Sequence, residues 1–220
     1  MNLNVDNILI IGLGMIGSSI ALASKSKGIK VYGFDKSNNS IKEALEKNII
    51  DSKVESILDI NSKDFVKKVD LIIVAVPPKQ TLDVLNNLKN IWNTDVTITD
   101  TSSVKNHIKL TDVSNIVLSH PIAGSDQSGI SAANGDLFKN KKNVLCDPFK
   151  SKKGHFEKVD NFWKNALQMR TSSMTVSEHD LVFAMTSHLP HLVSYALIDS
   201  IRLSNHDVDD NAGGGLKEFL

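Results

Sequence analysis

His120, with two serines that precede it, forms the clearest constellation for proton chemistry in this 220-residue sequence. The histidine closes the apolar run IVLS and is followed by Pro121, which forces extended backbone at the residue before it. The imidazole therefore belongs at a strand end, where a group that exchanges a proton near neutral pH can act as an acid or base. Ser102 and Ser103 in DTSSVK, residues 100–105, occupy a strand-to-helix turn and could orient the ring or share a substrate oxygen. Bland readings stand beside these: the serines as ordinary helix caps, His120 as a core histidine with its hydrogen bonds satisfied. His188 and His191 lie three apart in SHLPH and face one side of a helix. With no third ligand at useful spacing, a polar contact to substrate suits them better than metal, and no metal is expected. His107, His155, His179 and His206 read as solvated or locally bonded.

A second constellation is suited to binding. Gly12, Gly14 and Gly17, with Met15 and Ile16 between them, spell GLGMIG directly after an apolar run and at the start of a helical pattern. In that context the first glycine permits a tight turn, the second lets a pyrophosphate approach the backbone, and the third allows close helix–strand packing. Asp35 ends VYGFD some 20 residues later, where a carboxylate can hold the hydroxyls of an adenosine ribose. NAD is the expected cofactor, because Asp35 repels a 2′-phosphate; NADP stays open because Lys36 and Ser37 are adjacent. Val76 and Pro77 of VPP either run beside that cofactor or only start a helix. The alternative is a plain strand-to-helix turn with Asp35 as a cap.

These groups need a frame. Short β-branched runs at 7–11, 30–34, 71–76, 96–99, 116–119 and 143–145 alternate with helical patterns at 16–27, 40–47, 80–91 and 104–110. That alternation predicts βαβ units, a buried parallel sheet and right-handed crossovers. Gly28 should end the first helix in left-handed backbone. Beyond Phe156, an amphipathic stretch presents Phe162, Trp163 and Ala166 on one face, and a polar, strand-like MRTSSMTV follows. The longest helical pattern then starts, with Ser177 as its cap, Asp180 at the third position and a kink at Pro190. The expected fold class is α/β: a Rossmann-type, doubly wound, mostly parallel sheet over residues 1–173, then an incomplete all-helical domain over 174–220.

Composition narrows the class further. Twenty-five basic against 25 acidic side chains give no net field for nucleic acid or an anionic membrane. No window approaches the roughly 20 apolar residues of a membrane span, and no signal-peptide pattern opens the chain, so a protein outside the membrane and a cytoplasmic location are expected. Cys146, the single cysteine, excludes an internal disulfide and reads as an inert thiol rather than a reactive one.

Taken in order, GLGMIGSS, DTSSVK, HPIAGSDQSG, DLFKNK, SHLPHLVSYAL and GGGLKEF resemble the prephenate and arogenate dehydrogenases of tyrosine biosynthesis along nearly the whole chain. The resemblance implies NAD-dependent oxidative decarboxylation, with His120 as the base at the substrate's ring hydroxyl and Ser103 positioning both. It also implies substrate contacts from His191, from Asp126 (where the family usually has glutamate), and from the glycine turn containing Gly214 and Gly215. A homodimer is implied for the full-length protein. In the family an arginine that binds substrate carboxylate follows GGGLKEF after one further residue, and a dimer-forming helical region comes next. Arg170 and Arg202 do not match that position, so the sequence is expected to be truncated, monomeric or aggregating in isolation, and poorly soluble. Two other readings are a different dehydrogenase of the β-hydroxyacid type and an inactive nucleotide-binding fragment.

Overall fold

The computed structural model describes residues 5–125, 127–152 and 154–203. By internal contacts the chain divides into two compact units, Met1–Val176 and Ser177–Leu220.

In the first unit the apolar runs become strands because their side chains are buried on both faces, as a sheet flanked by helices requires. Along the chain come β1 (Asn7–Ile11), α1 (Met15–Lys25), β2 (Lys30–Phe34), α2 (Asn38–Glu46) and β3 (Ser52–Lys53). Two single-turn helices, α3 (Ile57–Ile60) and α4 (Lys63–Val66), precede β4 (Leu71–Val74), α5 (Pro78–Asn87), β5 (Thr97–Asp100) and β6 (Ile116–Ile122). The unit closes with β7 (Lys142–Cys146), α6 (His155–Asn161) and β8 (Arg170–Ser173). The described strands form one sheet in the order β3-β2-β1-β4-β5-β6-β7-β8. Every pairing is parallel except β6 with β7, where Ser119 faces Leu145 and His120 faces Val144. Ile8, Ile10, Ile20, Leu71, Ile73 and Trp163 are among the fully buried residues of the core. Gly28 takes φ +78 just past α1, the left-handed backbone expected there.

Several elements differ from the sequence reading. Residues 104–110 form turns instead of a helix. Ser102 Oγ bonds the backbone of Val104, and Lys105 is drawn fully inside the protein, so the local backbone is committed elsewhere. The strand expected to reach Val76 ends at Val74, and Pro77 and Pro78 start α5, where a missing N–H costs nothing. The short edge strand β3 was not anticipated. Ser177 lies inside α7 (Val176–Phe183), one residue beyond its first, so it is not the cap.

In the second unit, α7 runs through a π-helical segment, Ala184–His188, into α8 (Leu189–Leu203). Pro190, where a kink was expected, lies inside α8, and the irregular segment ends two residues before it. His179 is fully buried, bonds Asp180 at 2.8 Å and stacks on Phe183 at a ring separation of 4.7 Å. Val176–Leu203 is also long and apolar enough, by length and composition, to cross a membrane, with a best window of mean hydropathy 1.4. This corrects the expectation that no window approaches a span: Thr186, Ser187, His188 and His191 break the run of apolar residues, but the average over the window stays high. Leu181, Met185, Leu189, Leu192 and Tyr195 are all more than half exposed.

Candidate active site

The glycine loop between β1 and α1 is held by close packing. Gly12 has φ +100, and a Cβ there would lie 2.4 Å from the carbonyl oxygen of Ala75. At Gly17 a Cβ would come within 1.9 Å of the Gly12 carbonyl oxygen, so neither position tolerates a side chain without backbone movement. Gly14 is the opposite case: a Cβ would meet nothing within 4 Å. Its open side belongs to a cavity of about 270 Å3 lined by Gly12, Gly14, Asp35, Lys36, Val76 and Pro77, among others. No side chain caps the N-terminus of α1, and its first turn holds no acidic residue. The helix dipole there is available to an anion.

Asp35 is fixed at the mouth of this cavity. Its Oδ2 accepts from the Leu13 amide at 2.7 Å and its Oδ1 from the Ser37 amide at 2.8 Å. Two N–H donors leave each oxygen a further lone pair, so the carboxylate is oriented yet still able to accept from a ribose hydroxyl. A dinucleotide therefore fits these residues: an open approach at Gly14, an uncapped helix N-terminus and an anchored acceptor at the end of β2.

A second cleft, of about 400 Å3, shares Gly14, Val76 and Pro77 with the first. Met15, Ile16, Ser102, Ser103 and His120 line it, and Gln127, Ser128 and Gly129 close another side. It opens where β5 and β6 part: their ladder ends at Thr99 and Val117. Beyond that point side chains replace it. Asp100 accepts from the amide of Ser119 at 3.0 Å and of Ser102 at 2.9 Å. Lys105 Nζ donates to Asp100 at 2.6 Å and to the carbonyl of Ser119. Both charged side chains are fully buried. This ion pair holds together the turn bearing Ser102 and Ser103 and the stretch of β6 bearing His120, which lies inside the strand, still paired with β7 through Ile122, and not at the strand end expected for it.

Every described residue expected in the first unit lines one of the two clefts, apart from Gly17, which packs beneath the loop. His191 lies in the second unit, exposed, with its ring 6.5 Å from that of Tyr195. Asp126, Gly214 and Gly215 lie outside the described residues. Asp100 and Lys105 were quoted in the motif but given no role. The available signal was a lysine five residues after a strand-end aspartate, close enough in sequence to reach back to it. Among the described residues no three His, Cys, Asp or Glu side chains gather as a metal site would need.

The fold and its glycine-loop cleft define a Rossmann-type, dinucleotide-binding protein. Residues 20–168 match the family model for the prephenate dehydrogenase nucleotide-binding domain, and residues 175–219 match that for the prephenate dehydrogenase dimerization domain. The chain belongs to the prephenate dehydrogenase family. It is 35% identical to prephenate dehydrogenase of Bacillus subtilis over 100% of its own length and 61% of that protein. To cyclohexadienyl dehydrogenase of Zymomonas mobilis it is 33% identical, over 89% of this chain and 67% of the relative. A solved structure of prephenate dehydrogenase from A. aeolicus with hydroxyphenyl propionate and NAD+ superposes with a TM-score of 0.83 at 32% identity, covering 97% of this chain and 76% of that one. The chain thus spans about three fifths of the Bacillus subtilis relative.

Proposed function

We propose that this chain serves NAD-dependent oxidation and decarboxylation of prephenate to 4-hydroxyphenylpyruvate, or of arogenate to tyrosine. Residues 1–173 act as the dinucleotide-binding domain and 174–220 belong to the helical substrate and dimerisation domain. The observation that carries this reading is the single cleft on which His120, Ser102 and Ser103 meet Gly14, Met15, Ile16, Val76 and Pro77.

NAD, when bound, supplies the hydride acceptor. The loop from Gly12 to Gly17 would receive its pyrophosphate and Asp35 its adenosine ribose, with Val76, Pro77 and Ser102 available to flank it. An anchored carboxylate at Asp35 disfavours the 2′-phosphate of NADP, although Lys36 lines the same cavity. His120 takes the proton of the ring hydroxyl as C4 gives up its hydride and the electron pair of the C1–carboxylate bond moves into the ring, and the same imidazole returns the proton to the phenolate oxygen. Carbon dioxide departs and the ring becomes aromatic. Ser103 orients the hydroxyl and the imidazole, while His191, Asp126, Gly214 and Gly215 contact the substrate. General-base catalysis of this kind contributes about 10²- to 10⁴-fold, and holding the reactants together supplies much of the rest.

The exposed apolar residues of α7 and α8 fit burial against a second copy, so a homodimer is proposed. A cytoplasmic location, with no metal, membrane or nucleic acid as partner, suits a nicotinamide-dependent biosynthetic enzyme whose one cysteine is buried. The test is reduced nicotinamide absorbance with NAD and prephenate, then with NAD and arogenate, for the chain and for His120→Asn. Turnover lost in the variant while NAD binding persists supports the assignment; a variant that turns over as well as its parent refutes it.

A further inference from the structure

Ser119 immediately precedes His120 in β6, and its hydroxyl is fully buried between two other side chains. Trp163 Nε1 donates to Ser119 Oγ at 3.0 Å, and Thr99 Oγ1 lies 2.6 Å from the same oxygen. An indole N–H can only donate, so Ser119 Oγ must accept from Trp163 and complete a second hydrogen bond with Thr99. With Asp100 on its amide and Lys105 on its carbonyl, every polar atom of Ser119 is engaged by a side chain from another segment.

Successive strand residues point to opposite faces, so this hydroxyl junction sits on the face of β6 away from the His120 ring. Trp163 reaches it from the π-helical segment Phe162–Ala166, whose extra residue per turn re-aims side chains that a regular helix would place elsewhere. The indole is itself immobilised, fully buried and edge-on to Phe138 at 6.1 Å and Phe162 at 5.8 Å. Burial alone would be satisfied by an apolar residue at 119. A fully connected polar junction there serves instead to hold the strand in one position.

We infer that Trp163, through Ser119 and Thr99, is a positioning residue that fixes the part of β6 carrying His120 and thereby aims the imidazole into the cleft. This rests on His120 being the base of the proposed reaction, and its test separates the two ideas. In the ligand-free chain the His120 ring resonance, assigned by its loss in His120→Asn, is followed by NMR against pH in Trp163→Phe, Ser119→Ala and the double variant. The expected result is the same displaced and broadened resonance, with the same shift of titration midpoint, in all three, because they break one junction. Trp92→Phe is the control, since the buried Trp92 Nε1 has no hydrogen-bond partner; it leaves the resonance in place. With prephenate and NAD, kcat falls about tenfold in Trp163→Phe while NAD affinity holds, as expected for a small misplacement of a reacting group.

Unchanged His120 titration in variants that melt like the parent overturns the inference, as do additive effects of the two substitutions. Should Trp163→Phe fail to fold, the smaller change Ser119→Ala carries the same test. If the parent chain shows no turnover with either substrate, the NMR comparison alone decides the positioning role.

Discussion

Replacing Lys105 with methionine keeps most of the aliphatic stem but removes the charge that faces Asp100 from 2.6 Å with both side chains at zero exposure. Removing one partner of a buried pair costs about 3–5 kcal/mol, since the other charge is left without its counterion. Asp100 retains the amides of Ser102 and Ser119, which places the expected loss at the lower end, about 3 kcal/mol. For a domain of this size each kcal/mol lowers Tm by about 2–4 °C, so the variant should melt roughly 6–12 °C below its parent. Lys164→Met is the comparison. It removes the lysine of an i,i+4 pair with Asp160 whose lysine side chain is 48% exposed, and should change stability by no more than about 0.5 kcal/mol. Thermal unfolding followed by circular dichroism reads both. A Lys105→Met protein melting within about 2 °C of its parent would refute the claim that this pair stands in for the β5–β6 ladder.

The glycine loop makes a paired prediction. Gly17→Ala, with its Cβ 1.9 Å from a backbone oxygen, should destabilise the fold by about 1–3 kcal/mol and weaken NAD binding; Gly14→Ala should weaken binding and leave the melting temperature unchanged. Equal melting temperatures for the two variants, alongside calorimetric NAD titrations, would contradict the packing argument. Near the opposite end of the sheet, burial pulls the His155 imidazole below the ordinary histidine pKa of 6.5, helped by Lys158 and Lys152 against the opposing effect of Asp95. Its ring bonds Thr97 at 2.7 Å. A folded-state pKa below the unfolded one means stability is fully present above about pH 6.5 and is lost as pH falls through the lowered value. His155→Gln should flatten that acid-side slope in a series of melts, and parallel slopes for parent and variant would show the residue is not responsible.

Much of the site's frame was legible because its signals are local. A glycine required at φ +100, a proline that forces its predecessor into extended backbone, and apolar runs too short for helices each carry their meaning in residue type and spacing. Gly12, Gly14, Gly17, Asp35 and the extended approach to His120 follow from such signals. Residues 104–110 show the limit, since helical spacing there is overridden by a lysine whose partners lie 5 and 14 residues away and by a serine that occupies nearby backbone groups. Trp163 shows it more plainly. Its burial could be read from an amphipathic pattern, but its hydrogen bond to Ser119, 44 residues distant, exists only because β6 and β7 pair antiparallel and the π-helical turn packs behind them. Backbone conformation is set largely by each residue and its neighbours, so the sequence by itself determined most of the strands, the glycine loop and the extended backbone at His120. The partners of a buried charge or hydroxyl are chosen by whichever segments the sheet order brings together, and only the tertiary structure decided those.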